Sequence, residues 1–224
     1  MCVIISLTEE NYLKAIYTLS HLFEELEVST NQISDHLNNK AATVTDMLKR
    51  LAEKKLIHYI PYQGVKLTEK GRQTAIKVIR KHRLWEVFLV DKLQFKWDEV
   101  HEIAEQLEHI NSDELIQRLD KFLGKPKFDP HGDPIPDANG QLNIVKAIPL
   151  NQHKIKGMFT FVGVCEHSKT FLQHLTSIGL KIGDVLKVEE INEFDNSFKV
   201  KINKNNSQFF SNKVASNILV EIKK

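Results

Sequence analysis

The amino-acid sequence predicts an α+β fold, in which a helical N-terminal part is followed by a small domain of short strands. Apolar residues recur every three or four positions as far as about residue 123, as they do in amphipathic helices. Four of the six prolines fall within residues 124–140, which is typical of a linker. Beyond this stretch the apolar period changes to two, which predicts strands. We therefore expect three domains in the 224 residues, over 1–75, 76–140 and 141–224.

The first domain is predicted to be a winged helix-turn-helix, because two short helices joined by a tight turn precede a hairpin and a long helix. In order, the predicted elements are a helix capped by Thr8, a short helix capped by Ser29–Thr30 and broken at Asn38–Asn39, a helix over 41–54, strands over 56–60 and 65–67 around a turn at 61–64, and a helix over 68–91.

Two further helices are predicted before the linker, over 97–110 and 112–123. After the linker, strands are predicted over 144–150, 158–165, 185–191, 198–202 and 218–222, with one helix over 168–177. Short strands at this spacing favour a small β-barrel.

The composition is that of an ordinary globular protein, with 42% hydrophobic and 27% charged residues. It excludes a disordered chain and a disulfide scaffold. The two cysteines, Cys2 and Cys165, lie far apart and form no Cys-x-x-Cys motif, which indicates a reducing compartment. No signal peptide and no membrane span is recognisable, so we expect a cytoplasmic protein without a membrane partner.

The charge is unevenly distributed along the chain, although the net charge is only +2. Residues 28–83 contain twelve Lys or Arg against four Asp or Glu, whereas residues 84–120 contain three against ten. A basic winged helix-turn-helix favours double-stranded DNA as a partner. The alternative is that these lysines form an ordinary solvated helix face.

The DNA hypothesis assigns two roles to side chains of the predicted recognition helix and wing. Small or polar residues at the start of the helix would approach base edges; these are Ala41, Ala42, Thr43 and Asp46. Basic residues would contact phosphates without reading sequence; these are Lys49, Arg50 and Lys66. Asp46 fits only if it accepts a hydrogen bond from cytosine.

Two groups of metal-ligand side chains occur in the acidic region. His82 and Glu86 are four residues apart on one predicted helix. On the next, His101, Glu105, Glu108 and His109 fall within an arc of about 100° if each residue turns by about 100°. Carboxylates with imidazoles suit a borderline divalent metal, but spacing alone also fits an exposed polar face.

No catalytic motif is recognisable, so the chain is not expected to be an enzyme. His101-Glu102 begins like the zinc-protease motif His-Glu-x-x-His, but Glu105 stands where the second histidine is required. There is no nucleophile triad, phosphate loop or dinucleotide fingerprint.

Several motifs in sequence order resemble the metal-dependent transcriptional repressors of the diphtheria toxin repressor and manganese transport regulator type. The resemblance covers essentially the whole chain. It rests on Asn11–Tyr17, on Arg80–Leu84 followed by Glu86, on Val100–Glu102 with Glu108–His109 and Ser112–Glu114, on Pro130–Pro136, and on a β tail similar to an SH3-like, FeoA-like domain.

The resemblance implies a winged helix-turn-helix, a helical metal-binding and dimerisation domain, and the SH3-like domain. It implies a homodimer that binds palindromic operators and represses metal-uptake genes when a divalent metal is bound. The implied primary site comprises Asn11, Glu105, Glu108 and His109. The implied ancillary site comprises His82, Glu86 and His101, with Asp129, His131 and His167 as further candidates from the linker and tail.

The resemblance also bears on the metal. Iron-responsive members have a cysteine where this chain has Glu105, so Mn²⁺ is favoured over Fe²⁺, with Zn²⁺ or other divalent ions able to substitute in vitro. Asn11 departs from the family, in which Met or Asp is common, and Lys14 stands where some manganese sensors have Glu. A winged-helix regulator that responds to Fe²⁺, a small molecule or a redox signal is the alternative.

Overall fold

The computed structural model describes residues 5–22, 27–61, 63–143, 146–153, 155–203 and 207–223. The chain divides into two compact units, the first made of residues 1–82, 105–116 and 136–141 and the second of residues 83–104, 117–135 and 142–224. The helices are α1 Leu7–Leu22, α2 Thr30–Leu37, α3 Ala41–Glu53, α4 Glu69–Asp91, α5 His101–Leu107, α6 Asp113–Phe122, α7 Lys169–Ser177 and α8 Asn212–Ser216. The strands are β1 Ile57–Ile60, β2 Gly64–Leu67, β3 Ile148–Pro149, β4 Gly157–Val164, β5 Val185–Ile191, β6 Phe198–Ile202, β7 Ser207–Phe210 and β8 Ile218–Ile222.

The N-terminal cap of α1 differs from the predicted one. The backbone N–H of Ser6 donates to Glu9 Oε2 at 2.8 Å, and the N–H of Glu9 donates to Ser6 Oγ at 3.3 Å. This reciprocal pair is a capping box, so Ser6 is the cap and the assignment to Thr8 was wrong.

The predicted helix-turn-helix is present in the first unit. Ser29 and Gln32 form a capping box at the start of α2, and Asn38 ends the helix with a left-handed φ of 49°. The inner faces of α2 and α3 contribute Ile33, Val44 and Leu48 to one core, which also contains apolar residues of α1, β1, β2 and α4. Strands β1 and β2 pair antiparallel, with Ile57 opposite Leu67. Among the described residues, this is the winged helix-turn-helix that the sequence predicted.

The helix predicted over 97–110 is shorter in the structure. Helix α5 begins at His101 and ends at Leu107, and residues 97–99 and 108–109 form turns. Asn111 and Ser112 follow, and both residue types compete with helical hydrogen bonds through their own side chains. Glu108 and His109 therefore lie in the turn after α5, and the prediction that they continue its helical face was wrong.

The proline-rich stretch has no regular secondary structure, but it is not a solvated spacer. Asp129, His131 and Ile135 are buried. Phe128 forms a β-bridge with Pro134, which closes the loop between them. Polar groups in a buried loop need hydrogen-bond partners. The proline-rich stretch is therefore folded as part of the units to which its residues belong.

The C-terminal region of the second unit is a six-stranded antiparallel sheet. The strands hydrogen bond in the order β3-β8-β4-β5-β6-β7. The predicted helix 168–177 and the strands 185–191 and 198–202 agree with α7, β5 and β6. Strand 144–150 was overpredicted, because only Ile148–Pro149 of its described residues pair; Ile144 and Val145 lie outside the described residues.

Two elements of this region, β7 and α8, were missed. Helix α8 packs against β7 and β8, the strands that precede and follow it. The core of this C-terminal region contains Phe159, Phe161 and Phe198. This confirms a small β domain with an apolar core, and with it the α+β class. None of the described helices combines the length and hydropathy that a bilayer span requires.

Candidate metal centres and nucleic-acid interface

Helix α3 presents an exposed edge at its N-terminal end. The side chains predicted to contact DNA are all exposed: Ala41, Ala42, Thr43, Asp46, Lys49, Arg50 and Lys66. The opposite side of α3 is buried through Val44, Leu48 and Leu51. Because the buried side fixes the helix to its core, the exposed edge is held in a constant orientation.

The carboxylate of Asp46 is paired on this edge. Its Oδ1 lies 3.6 Å from Lys49 Nζ, one helical turn away, and both side chains are largely exposed. An exposed pair of this kind contributes little to stability, about 0–1 kcal/mol. It does place a cation beside the acid that would otherwise repel phosphate.

Sequence reasoning missed a concave surface next to this edge. Its volume is 630 Å³, within the range of about 300–1,000 Å³ that is typical of ligand sites. It is lined by Ser29, Thr30 and Asn31 at the start of α2, by Ala41 and Lys49 of α3, and by Tyr59, Pro61 and Gln63 of the wing. Hydroxyl and amide groups with one lysine suit a phosphate backbone rather than an apolar ligand. The signal in the sequence was the Ser-Thr-Asn run, which was interpreted only as a helix cap.

Helix α1 contacts the residues on either side of α3: the turn that precedes it and the cap that follows it. Lys54, the C-terminal cap directly after α3, has its Nζ 2.7 Å from Glu9 Oε1, and Glu9 is buried. Burial raises the pKa of Glu9, but the hydrogen bond and charge of Lys54 outweigh it, so the pKa is lowered. At the other end, Asn39 Nδ2 donates to the hydroxyl of buried Tyr12 at 3.3 Å. These two α1 residues flank Asn11.

The residues Asn11, Glu105, Glu108 and His109, here called the primary set, all lie in the first unit. Glu108 is completely buried and is its centre. Lys14 Nζ donates to both of its carboxylate oxygens, at 2.9 and 2.8 Å, and His82 Nδ1 lies 2.5 Å from Oε2. Burial raises the pKa of Glu108, but the hydrogen bond from His82 and the charge of Lys14 outweigh it and lower the pKa. The carboxylate is therefore ionised at neutral pH.

His82 was assigned to the ancillary site, and in the first unit it contacts a primary residue, Glu108. His82 lies on α4, four residues before Glu86. Because an ionised carboxylate only accepts hydrogen bonds, His82 Nδ1 is the donor.

His109 is oriented by a carboxylate that sequence reasoning missed. Its Nδ1 lies 2.6 Å from Glu10 Oε2. With Nδ1–H donating to Glu10, a neutral His109 has its lone pair on Nε2, which lies 3.8 Å from Glu108 Oε1. A carboxylate behind a histidine is the usual arrangement for a metal-binding imidazole. The only signal for Glu10 was its position next to Asn11.

Asn11 and Glu105 complete the primary set less directly. Among the described residues, Asn11 Oδ1 is buried and has no hydrogen-bond partner. A buried carbonyl oxygen without a partner is unfavourable by about 1–3 kcal/mol unless another group binds it. Glu105 has a half-exposed side chain and lies 3.6 Å from Lys14 Nζ, so Lys14 joins it to Glu108.

A second cluster lies within the second unit. Glu86, Asp129 and His131 each bring one donor atom to within 4.8 Å of the others, and all three are buried. We call these three the loop set, because two of them come from the proline-rich stretch. Three buried metal-ligand groups at this spacing are more specific than an exposed acidic face.

Local contacts fix the loop that carries the loop set. Asp129 Oδ1 accepts the backbone N–H groups of His131 and Asp133, at 2.8 and 2.9 Å. Gly132 has a φ of +91°, and a Cβ atom there would lie 2.1 Å from the carbonyl oxygen of Val162 on β4. Only glycine therefore permits this loop to approach the sheet.

His131 is held in a defined orientation. Its Nε2 lies 2.8 Å from the carbonyl oxygen of Trp97, so Nε2 carries a proton and Nδ1 faces Glu86 Oε2 at 3.7 Å. Burial lowers the pKa of His131, but the hydrogen bond and charge of Glu86, with the charge of Asp129, outweigh it and raise the pKa to about 9. The backbone contact thus leaves Nδ1 as the nitrogen that faces the carboxylates, and a metal bound there would displace the proton that the raised pKa keeps on Nδ1 at neutral pH.

The two remaining candidates lie at the edge of the loop set. His101 Nδ1 is 3.5 Å from Glu86 Oε1, with its side chain half exposed. His167 Nε2 is 3.4 Å from Asp133 Oδ2, and its ring meets that of His131 edge-on at 5.2 Å. Asp133 had not been singled out from the sequence, although it stands in the quoted proline-rich motif.

Arg83 is a second missed residue of this site. Its Nε lies 3.7 Å from Asp129 Oδ2 and its Nη2 lies 3.3 Å from Asp133 Oδ2. Its guanidinium also donates to the carbonyl oxygen of Pro134 at 2.6 Å. Arg83 therefore offsets part of the negative charge that three carboxylates would otherwise concentrate around His131.

Both clusters fit a divalent metal. The primary set offers the partnerless oxygen of Asn11, a buried ionised carboxylate and an oriented imidazole. The loop set offers two buried carboxylates and a second oriented imidazole. Neither candidate set includes a thiol, and oxygen with nitrogen donors suits Mn²⁺, Fe²⁺ or Zn²⁺.

Comparison with known families assigns three segments of the chain. Residues 5–65 match the N-terminal DNA-binding domain of iron-dependent repressors, and residues 68–137 match their metal-binding and dimerisation domain. Residues 148–222 match the FeoA domain.

Similar whole proteins agree with these matches. The chain is 39% identical to the iron-dependent repressor IdeR of Mycobacterium tuberculosis over 129 residues, which span 58% of this chain and 55% of that protein. It is 30% identical to the diphtheria toxin repressor of Corynebacterium glutamicum over 197 residues, or 83% and 84% of the two chains. A solved structure of a manganese-dependent transcriptional repressor in complex with manganese has 34% identity and a TM-score of 0.87, covering 96% of this chain and 99% of that one. The structure of the manganese regulator SloR has 35% identity and a TM-score of 0.77, covering 99% and 100%. The chain therefore belongs to the DtxR/MntR family of metal-dependent transcriptional repressors.

Proposed function

We propose that this protein is a Mn²⁺-activated repressor that binds palindromic operators as a homodimer and controls metal-uptake genes. The observation that carries the proposal is the buried, partnerless Oδ1 of Asn11 on α1, in the same compact unit as the ionised Glu108. Through an oxygen donor on α1, a bound metal would coordinate the helix that contacts the residues on either side of α3. Metal binding and DNA binding then favour the same arrangement of α1.

The donor types support Mn²⁺ over Fe²⁺. Glu105 is a carboxylate where a thiol would favour a softer ion, and the other members of the primary set offer oxygen or imidazole nitrogen. Intrinsic affinities rise from Mn²⁺ towards later metals, so Zn²⁺ is expected to substitute in a purified system. The named relatives include a manganese complex and an iron-dependent repressor, which makes Fe²⁺ the alternative to test.

Within the primary set, each residue has a separate role in the proposal. Asn11, Glu105, Glu108 and His109 would hold the metal, with Glu10 orienting His109. The bound ion supplies a double positive charge beside the carboxylates. The second, ancillary site would use Glu86, Asp129 and His131, with His101 and His167 at its edge.

The contacts of α1 support a route from metal to DNA. Tyr12 contacts Asn39, which precedes α3, and Glu9 contacts Lys54, which caps the C-terminal end of α3. A metal that fixes Asn11 therefore restricts the residues that contact both ends of the recognition helix. By linkage, the metal can strengthen DNA binding only by its preference for this arrangement, typically by about 1–3 kcal/mol.

The DNA contacts are proposed from exposure and charge. Ala41, Ala42, Thr43 and Asp46 would lie at base edges, and Lys49, Arg50 and Lys66 would contact phosphates. Two recognition helices that bind one face of DNA must stand about 34–36 Å apart, which requires a dimer.

The homodimer is supported by the second unit. Leu93, Phe95 and Phe122 are exposed apolar side chains in or near the segment that matches the dimerisation domain. We retain 1–75, 76–140 and 141–224 as the proposed domains, and a cytoplasmic location without a membrane partner.

The experiment is a metal titration of operator binding. An operator is selected from a random duplex pool in the presence of Mn²⁺, and its affinity is measured by fluorescence anisotropy with Mn²⁺, Fe²⁺, Zn²⁺ or a chelator. The proposal expects Mn²⁺ to raise affinity by about 5–150-fold. A response to Fe²⁺ at lower concentration than to Mn²⁺ would make the protein an iron regulator. An operator affinity that is unchanged by all three metals and by the chelator would favour a small-molecule or redox signal.

A further inference from the structure

Lys14 lies on the same face of α1 as Asn11 and contacts the carboxylate at the centre of the primary set. Its Nζ is 2.8 Å from Oε2 and 2.9 Å from Oε1 of Glu108, and 3.6 Å from Oε1 of Glu105. The Glu108 side chain is completely buried, whereas that of Lys14 retains 18% exposure. The ammonium group thus hydrogen bonds to both oxygens of the carboxylate that would coordinate the proposed metal.

Lys14 supplies one positive charge to two carboxylates. Glu108 and Glu105 supply the negative charges, and His82 donates a further hydrogen bond to Glu108. His36, at the end of α2, also lies within the electrostatic reach of Lys14 and Glu105. A divalent ion added to Glu108 would stand close to an ammonium group, and like charges at such distances repel each other.

We propose that Lys14 is a built-in competitor that sets the metal concentration to which the protein responds. The inference rests on the proposed function of the primary set and deepens it. A metal must either displace the ammonium from Glu108 or share the carboxylate with it. Both alternatives weaken metal binding, so the chain responds only above a threshold that Lys14 determines.

The properties of lysine suit this role. Its ammonium is a compact charge on a flexible four-carbon stem, and the partial exposure of Lys14 gives it a path to solvent. Glu108, in contrast, is fixed by burial and by His82. Lys14 also keeps Glu108 paired whenever no metal is bound, which avoids an uncompensated buried charge.

The test compares Lys14→Gln with Lys14→Arg. Free Mn²⁺ is measured by its electron paramagnetic resonance signal during titration of the full chain, in a Glu86→Gln background that disables the ancillary site. We expect Lys14→Gln to bind Mn²⁺ at least about tenfold more tightly, because the competing charge is lost. Lys14→Arg keeps the charge and pairs with carboxylates through two parallel bonds, so its affinity should equal or fall below that of the parent.

Thermal melting gives a second readout. Without metal, Lys14→Gln should melt several degrees lower than the parent, because Glu108 loses its ion pair. The rise in Tm at saturating Mn²⁺ should be larger for Lys14→Gln than for the parent.

The possible outcomes distinguish a failure of this inference from a failure of the proposed function on which it rests. Unchanged or weaker Mn²⁺ binding by folded Lys14→Gln would overturn the inference and leave the proposed function intact. If Lys14→Gln does not fold without metal, tighter binding by Lys14→Arg than by the parent overturns it. A parent protein that binds no Mn²⁺ at this site contradicts the proposed function itself.

Discussion

The primary set and the loop set obtain their donors in different ways. The primary set draws on α1 and on α5 with the turn that follows it, and its central residue, Glu108, is already bonded to Lys14 and His82. The loop set combines Glu86 of α4 with a loop whose conformation Asp129 and Gly132 fix through backbone contacts. The loop set is therefore preorganised by its own loop, whereas the primary set depends on the position of α1.

This difference indicates which of the two sites can couple metal binding to DNA binding. A ligand shifts an equilibrium only through contacts that differ between the two states. Asn11 of the primary set lies between Glu9 and Tyr12, which contact the ends of the recognition helix region. We expect the loop set to support affinity and stability, and the primary set to carry the response.

The largest expected effect comes from removing the central carboxylate. Glu108→Gln should abolish the Mn²⁺ response of operator binding, a loss of about 100-fold or the whole effect, because the buried negative charge that balances the metal disappears. Anisotropy titrations with selected operator DNA measure it. The matched control is Glu102→Gln on the exposed face of α5, which should respond like the parent. A full response in Glu108→Gln would remove Glu108 from the site.

A smaller effect is expected at the loop set. His131→Ala should remove one bound Mn²⁺ per chain and raise the Mn²⁺ concentration for half-maximal operator binding by about tenfold, since losing a ligand or its partner typically weakens a metal site 10–100-fold. Operator affinity at saturating Mn²⁺ should be retained. Stoichiometry by elemental analysis and the anisotropy titration measure the two quantities, with exposed His174→Ala as the control. Complete loss of the response in His131→Ala would show that the loop set, and not the primary set alone, carries the response to Mn²⁺.

On the DNA side, Lys49→Ala should weaken operator binding several-fold, for specific and random duplexes alike. It should also lower the slope of log affinity against log salt by about one, as the loss of one phosphate contact does. The exposed Lys77→Ala on α4 serves as the charge-matched control. Sequence-dependent loss without a change in salt slope would instead assign Lys49 to base readout.

The smallest effect is expected where α1 meets the end of α3. Glu9→Gln should leave Mn²⁺ affinity within about twofold but lower the coupling between Mn²⁺ and operator by about threefold, near the lower end of typical coupling energies. The pKa of Glu9 is lowered in the folded protein, so its stabilising contribution is present above its unfolded pKa, about 4.3, and is lost as pH falls through the folded value. Melting curves of parent and variant should therefore converge at low pH. Equal coupling in both proteins would exclude this contact from the route.

The order and type of most N-terminal elements followed from local sequence. Ser29 with Gln32 is a capping box, and Asn38 tolerates the left-handed conformation that ends α2. The wing was recognisable because apolar runs flank a turn that contains Gly64. These features depend on residues within a few positions of one another.

The candidate sites depended more on contacts between distant positions. The resemblance supplied the ligand types, but Lys14 with Glu108 and Glu10 with His109 are separated by 94 and 99 residues. No periodicity connects such pairs. The helical face that joined His101 to His109 was wrong because α5 ends at Leu107, and the linker composition did not show that Asp129 and His131 are buried.

We expect Mn²⁺ at the primary set and operator DNA to stabilise the same arrangement of α1. The most direct measurement is the affinity for Mn²⁺ with and without saturating operator, paired with the affinity for operator with and without saturating Mn²⁺. Operator should tighten Mn²⁺ binding by the same factor by which Mn²⁺ tightens operator binding, about 5–150-fold, and Glu108→Gln should reduce both factors to one. A Mn²⁺ affinity that is the same with and without operator would contradict this expectation.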